Sequence, residues 1–261
     1  MVYITGDCHG HYEKLSNKKF KVGKTLKRND IVIVCGDFGI WHKNPTEKYW
    51  LDCLSKKPYT ICFCDGNHEN FDRLNSEYKV VDFCGGKAHK IRHNIFHLMR
   101  GEIFEFNGEK YFVFGGAKSH DIQDGILDRN DYETEEEFNK MIFFYRLYGK
   151  MFRVRGLSWW DAELPTQDEI EYAKENLKKV NYKVDYVISH CCPHSISSQW
   201  VRSADEDILT QWFDELKDEL EFKRWYCGHY HLEQNSGKFT VLYDSIIESG
   251  NEYEQVQIIW L

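Results

Sequence analysis

Five short apolar runs in this sequence each stop at a polar side chain able to hold a cation. Val2–Thr5 leads into Gly6-Asp7-Cys8-His9, Ile31–Cys35 into Gly36-Asp37, and Tyr59–Cys64 into Asp65-Gly66-Asn67-His68-Glu69. Tyr186–Ser189 leads into His190, and Trp225–Cys227 into Gly228-His229-Tyr230-His231. Glycine breaks a strand and asparagine is a poor strand residue, so these groups belong on loops just past strand ends. That is where open α/β sheets place their chemistry. Asp, Asn and His together, with no Cys among them, form a hard-to-borderline ligand set that suits Mn, Fe, Zn, Co or Ni. Asp7, His9, Asp37, Asn67, His190, His229 and His231 are too many ligands for one divalent ion and about right for two that share a carboxylate. Asp37 is the expected bridge: its strand, Ile31-Val32-Ile33-Val34, is apolar throughout and should be central in its sheet. Two ions ~3.5–4 Å apart clamp the attacking and leaving oxygens of an in-line displacement, and the natural reaction is hydrolysis of a phosphate ester.

Magnitudes favour metals over a side-chain base. A bound metal lowers the pKa of water from about 15.7 to about 7, which is ~12 kcal/mol of proton affinity at ~1.36 kcal/mol per unit. A positioned general base contributes roughly 10²–10⁴ in rate, about 3–5 kcal/mol. The first figure is an upper bound, because water acidified in this way also gives a weaker nucleophile.

The elements that must position these residues can be read from the same chain. Strands at 2–5, 31–35 and 59–64 alternate with a short helix near His11–Lys18 and one near Thr46–Leu54, whose apolar face is Trp50, Cys53 and Leu54. This rhythm predicts a parallel sheet. Ile95–Leu98, Glu102–Phe106 and Tyr111–Phe114 read as an antiparallel meander entering a second sheet, with Asn107-Gly108 as a hairpin turn. Residues 122–155 read as an excursion: the capping box Thr134-x-x-Glu137 opens a helix carrying Phe138, Met141, Ile142, Phe144, Tyr145 and Leu147. That helix is apolar around much of its girth, which predicts packing on something else. Arg153 and Arg155 close the excursion, and as part of a cap over the site they are expected to bind substrate by bringing positive charge to a phosphate. Further capping boxes, Thr166-x-x-Glu169 and Ser203-x-x-Glu206, predict two more helices. Strands at 184–189, 223–227, Phe239–Tyr243 and Tyr253–Trp260 complete the plan. No linker or repeat interrupts it, so residues 1–261 are expected to form a single domain with a cap insertion at 122–155.

The formal net charge of -8 counts against a general nucleic-acid binder. The basic stretch Lys18–Arg28 reads as solvated surface. Nine cysteines without framework spacing, several of them inside apolar runs, read as reduced thiols of a cytoplasmic protein. Residue 1 leads directly into a strand, which leaves no room for a signal peptide, and no apolar run approaches the ~20 residues of a membrane span. The expected partner is a small phosphate ester, with no membrane and no obligate protein partner.

In order and spacing, Gly6-Asp7-Cys8-His9, Gly36-Asp37, Gly66-Asn67-His68-Glu69, His190 and Gly228-His229-Tyr230-His231 resemble the calcineurin-like metallophosphoesterase family across nearly the whole chain. The resemblance implies an α/β fold in which a two-sheet β-sandwich is flanked by helices (αββα). It also implies a dimetal-dependent phosphoesterase, phosphatase or phosphodiesterase, acting on mono- or diesters. By the same resemblance Asp7, His9, Asp37 and His231 hold one ion, and Asp37, Asn67, His190 and His229 the other. Asn67 and His68 would also meet the substrate, with His68 contacting the phosphate or protonating the leaving group. One position departs from the pattern. Many relatives carry an Asp three residues after the bridging Asp, where it orients the catalytic His; here that residue is Ile40, followed by Trp41 and His42. Something else must orient His68. Gly115–Asp121 and Gly156–Trp160 resemble a bacterial and phage-type subgroup in which the two pieces lie closer together, so 122–155 reads as an insertion. A metal-dependent nuclease is the alternative within enzymes. A non-catalytic scaffold of the same fold is the alternative outside them; it would be marked by lost ligands, and none is lost here.

Several other residues read as structural. His11, His42, His120 and His194 lie beside the motifs and are expected at the surface or in support. His89, His93 and His97 are spaced by four but sit in strand-like sequence, which argues against a helical metal face. Cys191 and Cys192 read as packing; Trp159 and Trp160 are open between core and stacking platform.

Overall fold

The computed structural model describes residues 1–202, 204 and 206–254. The first half runs β1 (Val2–Thr5), β2 (Ile31–Val34), α1 (Pro45–Ser55), β3 (Thr60–Phe63), α2 (Phe71–Glu77), β4 (Lys79–Phe83), β5 (Gly86–Arg92), β6 (Ile95–Leu98), β7 (Glu102–Phe106) and β8 (Glu109–Phe114). The second half runs β9 (Ile126–Leu127), α3 (Glu135–Leu147), β10 (Arg153–Val154), α4 (Gln167–Lys179), β11 (Tyr186–Ser189), α5 (His194–Ser197), α6 (Ile208–Glu219), β12 (Arg224–Cys227), β13 (Gln234–Ser236), β14 (Phe239–Val241) and β15 (Ile246–Glu248).

Two main sheets result, ordered β15-β1-β2-β3-β6-β5-β4 and β13-β14-β12-β11-β8-β7. In the first, β1, β2, β3 and β6 are parallel; in the second, β8, β11, β12 and β14 are. Successive residues of a strand point to opposite faces, and both faces of each sheet are covered. Ile31, Ile33 and Cys62 pack between the sheets with Tyr111, Val113, Ile188 and Tyr226. Val32, Val34, Ile61 and Phe63 face the other way, against Leu51 and Leu54 of α1 and Leu74 of α2. On the far side Phe112, Val187 and Trp225 meet Ile170 and Leu177 of α4 and Leu209, Phe213 and Leu216 of α6. Burial on both faces is why these strands read as continuous apolar runs. The architecture is the two-sheet sandwich flanked by helices.

Several expectations need correction. The anticipated meander is divided: β6 stays beside β3 in the first sheet, while β7 and β8 open the second. The hairpin turn falls where expected, with φ of 53° at Asn107 and 81° at Gly108. β4, β5, α2 and β15 were not legible; β4 is an edge strand with Lys79 and Val80 exposed, so it lacks a buried-strand pattern. The helix expected from Ser203 begins instead at Ile208, where the Asp207 carboxylate accepts the N–H groups of Leu209 and Thr210. Ser203 lies outside the described residues, as does most of the strand expected at Tyr253–Trp260. The α3 capping box forms as predicted, but only Phe138 of that helix is buried. It packs within the excursion, on Leu127 and Val154, and leaves Phe143 (61%) and Leu147 (62%) exposed.

Candidate metal centre

The candidate metal-binding side chains stand just past the C-terminal ends of β1, β2, β3, β11 and β12, so both sheets deliver them to one rim of the sandwich. Tight turns are needed to bring so many ligands to one point. His9, Asp37, His229 and His231 all have positive φ, at 48°, 46°, 69° and 50°, a region that costs non-glycine residues energy and concentrates at functional sites. The glycines before the ligands serve close approach. A Cβ on Gly36 would lie 2.2 Å from His190 Nδ1, and one on Gly66 would lie 2.1 Å from Asp37 Oδ1.

Three overlapping groups of donor atoms result, Asp7/His9/His231, His9/Asp37/His68 and Asp7/Asp37/His190, each with its atoms within 4.8 Å of one another. His9 Nε2 and His231 Nε2 face each other at 3.0 Å. Asp37 Oδ2 lies 3.6 Å from His9 Nδ1 and 3.3 Å from His190 Nε2, so Asp37 faces both halves of the cluster. His190 Nδ1 donates to the Cys35 carbonyl at 2.8 Å, which directs Nε2 to Asn67 Oδ1 at 3.2 Å. A carbonyl can only accept, so Nδ1 keeps its proton and Nε2 is the nitrogen left to meet a metal. The His229 ring packs on His190 at 4.9 Å, and its backbone N–H donates to Asp7 Oδ1 at 2.9 Å.

The electrostatics suit a cation. Burial alone would raise the Asp7 and Asp37 carboxyls, but His190 and the other imidazoles hold both below the usual range. Burial likewise favours neutral His190, yet Asp37, Asp7 and the Cys35 carbonyl raise it to about 10. His229 is pushed down to about 3 by burial and by His190, so it presents a neutral lone pair. Asp7 Oδ2 is buried with no hydrogen-bond donor on it. Only the His231 and His9 imidazoles face it, at 3.3 and 3.6 Å; a buried carboxylate oxygen without a hydrogen bond is costly, and a divalent ion between these groups would satisfy it. The residues therefore fit the metals that this chemistry implies.

Supporting residues were invisible in the sequence because they come from distant segments. Asn67 Nδ2 donates to Ser119 Oγ at 3.2 Å, and Ser119 donates to Glu163 from its hydroxyl at 2.7 Å and from its N–H at 2.9 Å. This chain turns Asn67 Oδ1 toward His190. The buried Lys14 amine donates to the carbonyls of Gly6, Asp7 and Tyr243 and fixes the Asp7 loop. Glu69, fully buried, accepts the N–H groups of Gly39 at 3.1 Å and Ile40 at 2.8 Å, and burial together with Asp37 holds its carboxyl well above the ordinary value. Ile40 itself is buried among Phe38 and Phe63.

His68 donates its backbone N–H to Asp37 Oδ1 at 2.8 Å and packs its ring on Trp41 at 4.9 Å. Burial lowers it to about 4, with Arg153, His9 and His190 acting in the same direction against Asp37. Arg153 reaches this ring. Arg155 is not brought there: it pairs with Asp128 and Asp161 and lies over Trp159. His120 packs against His229. His89 and His97 stack between neighbouring strands, and His97 bonds to Asp65 at 3.1 Å, far from a helical metal face. Trp160 is buried and donates to Asp72. All nine cysteines are free, Cys191 and Cys192 among the buried ones. Two pockets flank the centre. One of about 260 Å³ is lined by Lys118, His120, Gln123, Met151, His229 and His231. The other, of about 300 Å³, is lined by His9, His11, Trp41, His42 and His68.

The sequence profile for calcineurin-like phosphoesterases matches residues 1–233. The chain belongs to that family. It is therefore, in kind, a metal-dependent phosphoester hydrolase. No curated protein matches it. Among solved structures it is similar to a phosphopantetheinyl hydrolase from Mycobacterium tuberculosis, at 13% identity and a TM-score of 0.43 over 93% of this chain and 89% of that one. It is also similar to a putative 5'-nucleotidase from Staphylococcus aureus, at 13% identity and a TM-score of 0.41 over 93% of this chain and 48% of that one. Among the described residues no helix is long and apolar enough to cross a membrane.

Proposed function

We propose that this calcineurin-like phosphoesterase hydrolyses small phosphate mono- or diesters at a centre of two divalent ions. Asp7, His9, Asp37 and His231 would hold one ion, and Asp37, Asn67, His190 and His229 the other, with Mn, Fe, Zn, Co or Ni as candidates. When bound, the ions would supply an activated water and neutralise charge on the phosphoryl oxygens. The chain's own residues do the rest. Asp37 turns Oδ2 toward both His9 and His190 while Oδ1 holds the His68 backbone N–H, and Asn67, held by Ser119 and Glu163, presents Oδ1 toward the centre. His68, a neutral ring on Trp41, faces the second pocket, where a departing alcohol could lie. The observation that carries this reading is the convergence of three overlapping donor groups on Asp7, His9 and Asp37, with the buried Asp7 Oδ2 accepting no hydrogen bond and facing only the His231 and His9 imidazoles at 3.3 and 3.6 Å.

The test is a screen of each metal against aryl monoesters, aryl diesters, cyclic nucleotides and single-stranded DNA. Chelated protein should be inactive, and Mn or a similar ion should restore turnover on a small ester. Full activity after thorough demetallation would refute the proposal, and preference for DNA would redirect it to a nuclease.

A further inference from the structure

We infer that Arg153, anchored by Asp121, is the positioning residue for His68, and that the 122–155 excursion exists in part to deliver it. This rests on the phosphoesterase reading above. Arg153 is 8% exposed. Its Nε–H donates to Asp121 Oδ1 at 2.8 Å, and Nη2 donates to Asp121 Oδ2 at 2.8 Å. Nη2 also reaches His68 Nε2 at 3.1 Å, while Nη1 donates to the Ser158 carbonyl at 3.0 Å and faces His68 Nδ1 at 3.5 Å. A guanidinium has five N–H donors and no acceptor. Asp121 takes two of them, the Ser158 carbonyl one and the single lone pair of the neutral ring one, so the guanidinium is largely committed before any phosphoryl oxygen arrives. Arg153 thus acts through His68, which it pins against Trp41; its own guanidinium lies 5.8 Å from the centre of that indole.

Asp121 and Arg153 lie at the two ends of the excursion. The β9–β10 ladder, Ile126 with Arg153 and Leu127 with Val154, fixes the register that brings them together. No carboxylate stands at position 40, where Ile40 is buried in the apolar layer. An acidic residue from one end of the excursion, acting through an arginine from the other, occupies the place of a direct carboxylate partner for the imidazole.

The experiment is a double-mutant cycle with a second readout that does not need turnover. Arg153→Ala should lower kcat roughly 10²-fold, the scale of a small misplacement of a reacting group, with little change in KM. Arg153→Lys should not restore it, because a point charge cannot hold both Asp121 and the ring. Arg153→Ala combined with His68→Ala should be no slower than His68→Ala alone. In chelated protein carrying ¹⁵N-labelled histidine, the His68 ring signals, identified by their loss in His68→Ala, should shift in Arg153→Ala and in the milder Asp121→Asn. They should not shift in Arg129→Ala, on the outer part of the excursion. Additive losses in the cycle, or a loss carried mainly by KM, would overturn the positioning role. So would unchanged ring signals in folded Asp121→Asn and Arg153→Ala proteins. If the wild type hydrolyses no phosphate ester under any metal, the functional reading falls, and the ring signals alone decide the clamp.

Discussion

Asp37 carries more of the centre than any other residue. Its backbone carbonyl accepts the N–H groups of Cys8 at 3.0 Å and His9 at 2.7 Å, one carboxylate oxygen holds His68, and the other faces His9 and His190. Asp37→Asn should therefore lower metal content at both sites and cost more activity than Asn67→Ala. His231→Ala should disturb mainly one site and His190→Ala mainly the other. Metal analysis of these variants checks the assignment: two tightly held ions in Asp37→Asn with near-normal turnover would rule out a bridge. Further out, Glu163 reaches the centre through Ser119 and Asn67. Glu163→Ala should weaken metal binding by roughly 10–100-fold, as loss of an outer partner does, without removing a ligand. A titration of the chelated variant with Mn would show it, and an affinity equal to the wild type would mean that the amide needs no such support.

At the scale of elements, the excursion carries an apolar cluster, Leu127, Phe138 and Val154, separate from those of the sandwich, so its stability should be local. The α3 cap is a reciprocal pair, Thr134 Oγ1 accepting from Glu137 N–H at 3.2 Å and Glu137 Oε2 accepting from Thr134 N–H at 3.3 Å. Thr134→Ala should cost about 1 kcal/mol. The loss should appear as faster hydrogen exchange across 122–155, with the global melting temperature nearly unchanged. An equal fall in global stability would show that the excursion unfolds together with the sheets.

For the whole molecule, metal and proton compete for one buried place. His190 is raised to about 10 in the metal-free protein, against about 6.5 in an unfolded chain. The charged imidazole therefore stabilises the metal-free fold fully below pH ~6.5, and this contribution is lost as pH rises through about 10. Divalent metal must displace that proton, so its affinity should rise with pH across the same window. Melting of chelated protein from neutral to alkaline pH, compared with His190→Gln to isolate this group, should show the decline in the wild type only. A parallel decline in both would place the titration elsewhere.

The sequence by itself determined the candidate ligand positions and the strands that carry them. A strand buried on both faces must be apolar throughout, and the polar residue that ends it stands out, so Asp7, Asp37, Asn67, His190 and His229 were legible as a set. The capping boxes at Thr134 and Thr166 were legible because they are local. Tertiary structure alone decided which distant segments complete the site. Ser119 and Glu163 behind Asn67, Lys14 beneath Asp7, and Asp121 with Arg153 at His68 are ordinary residues in ordinary loops until the fold joins them. It also separated Arg153 from Arg155, two residues apart in sequence. Neighbours at that spacing share a face of a β-strand, and Arg155 still continues the ladder by donating its N–H to the Leu127 carbonyl; different carboxylates decide the outcome, Asp128 and Asp161 holding Arg155 while Asp121 keeps Arg153 at His68.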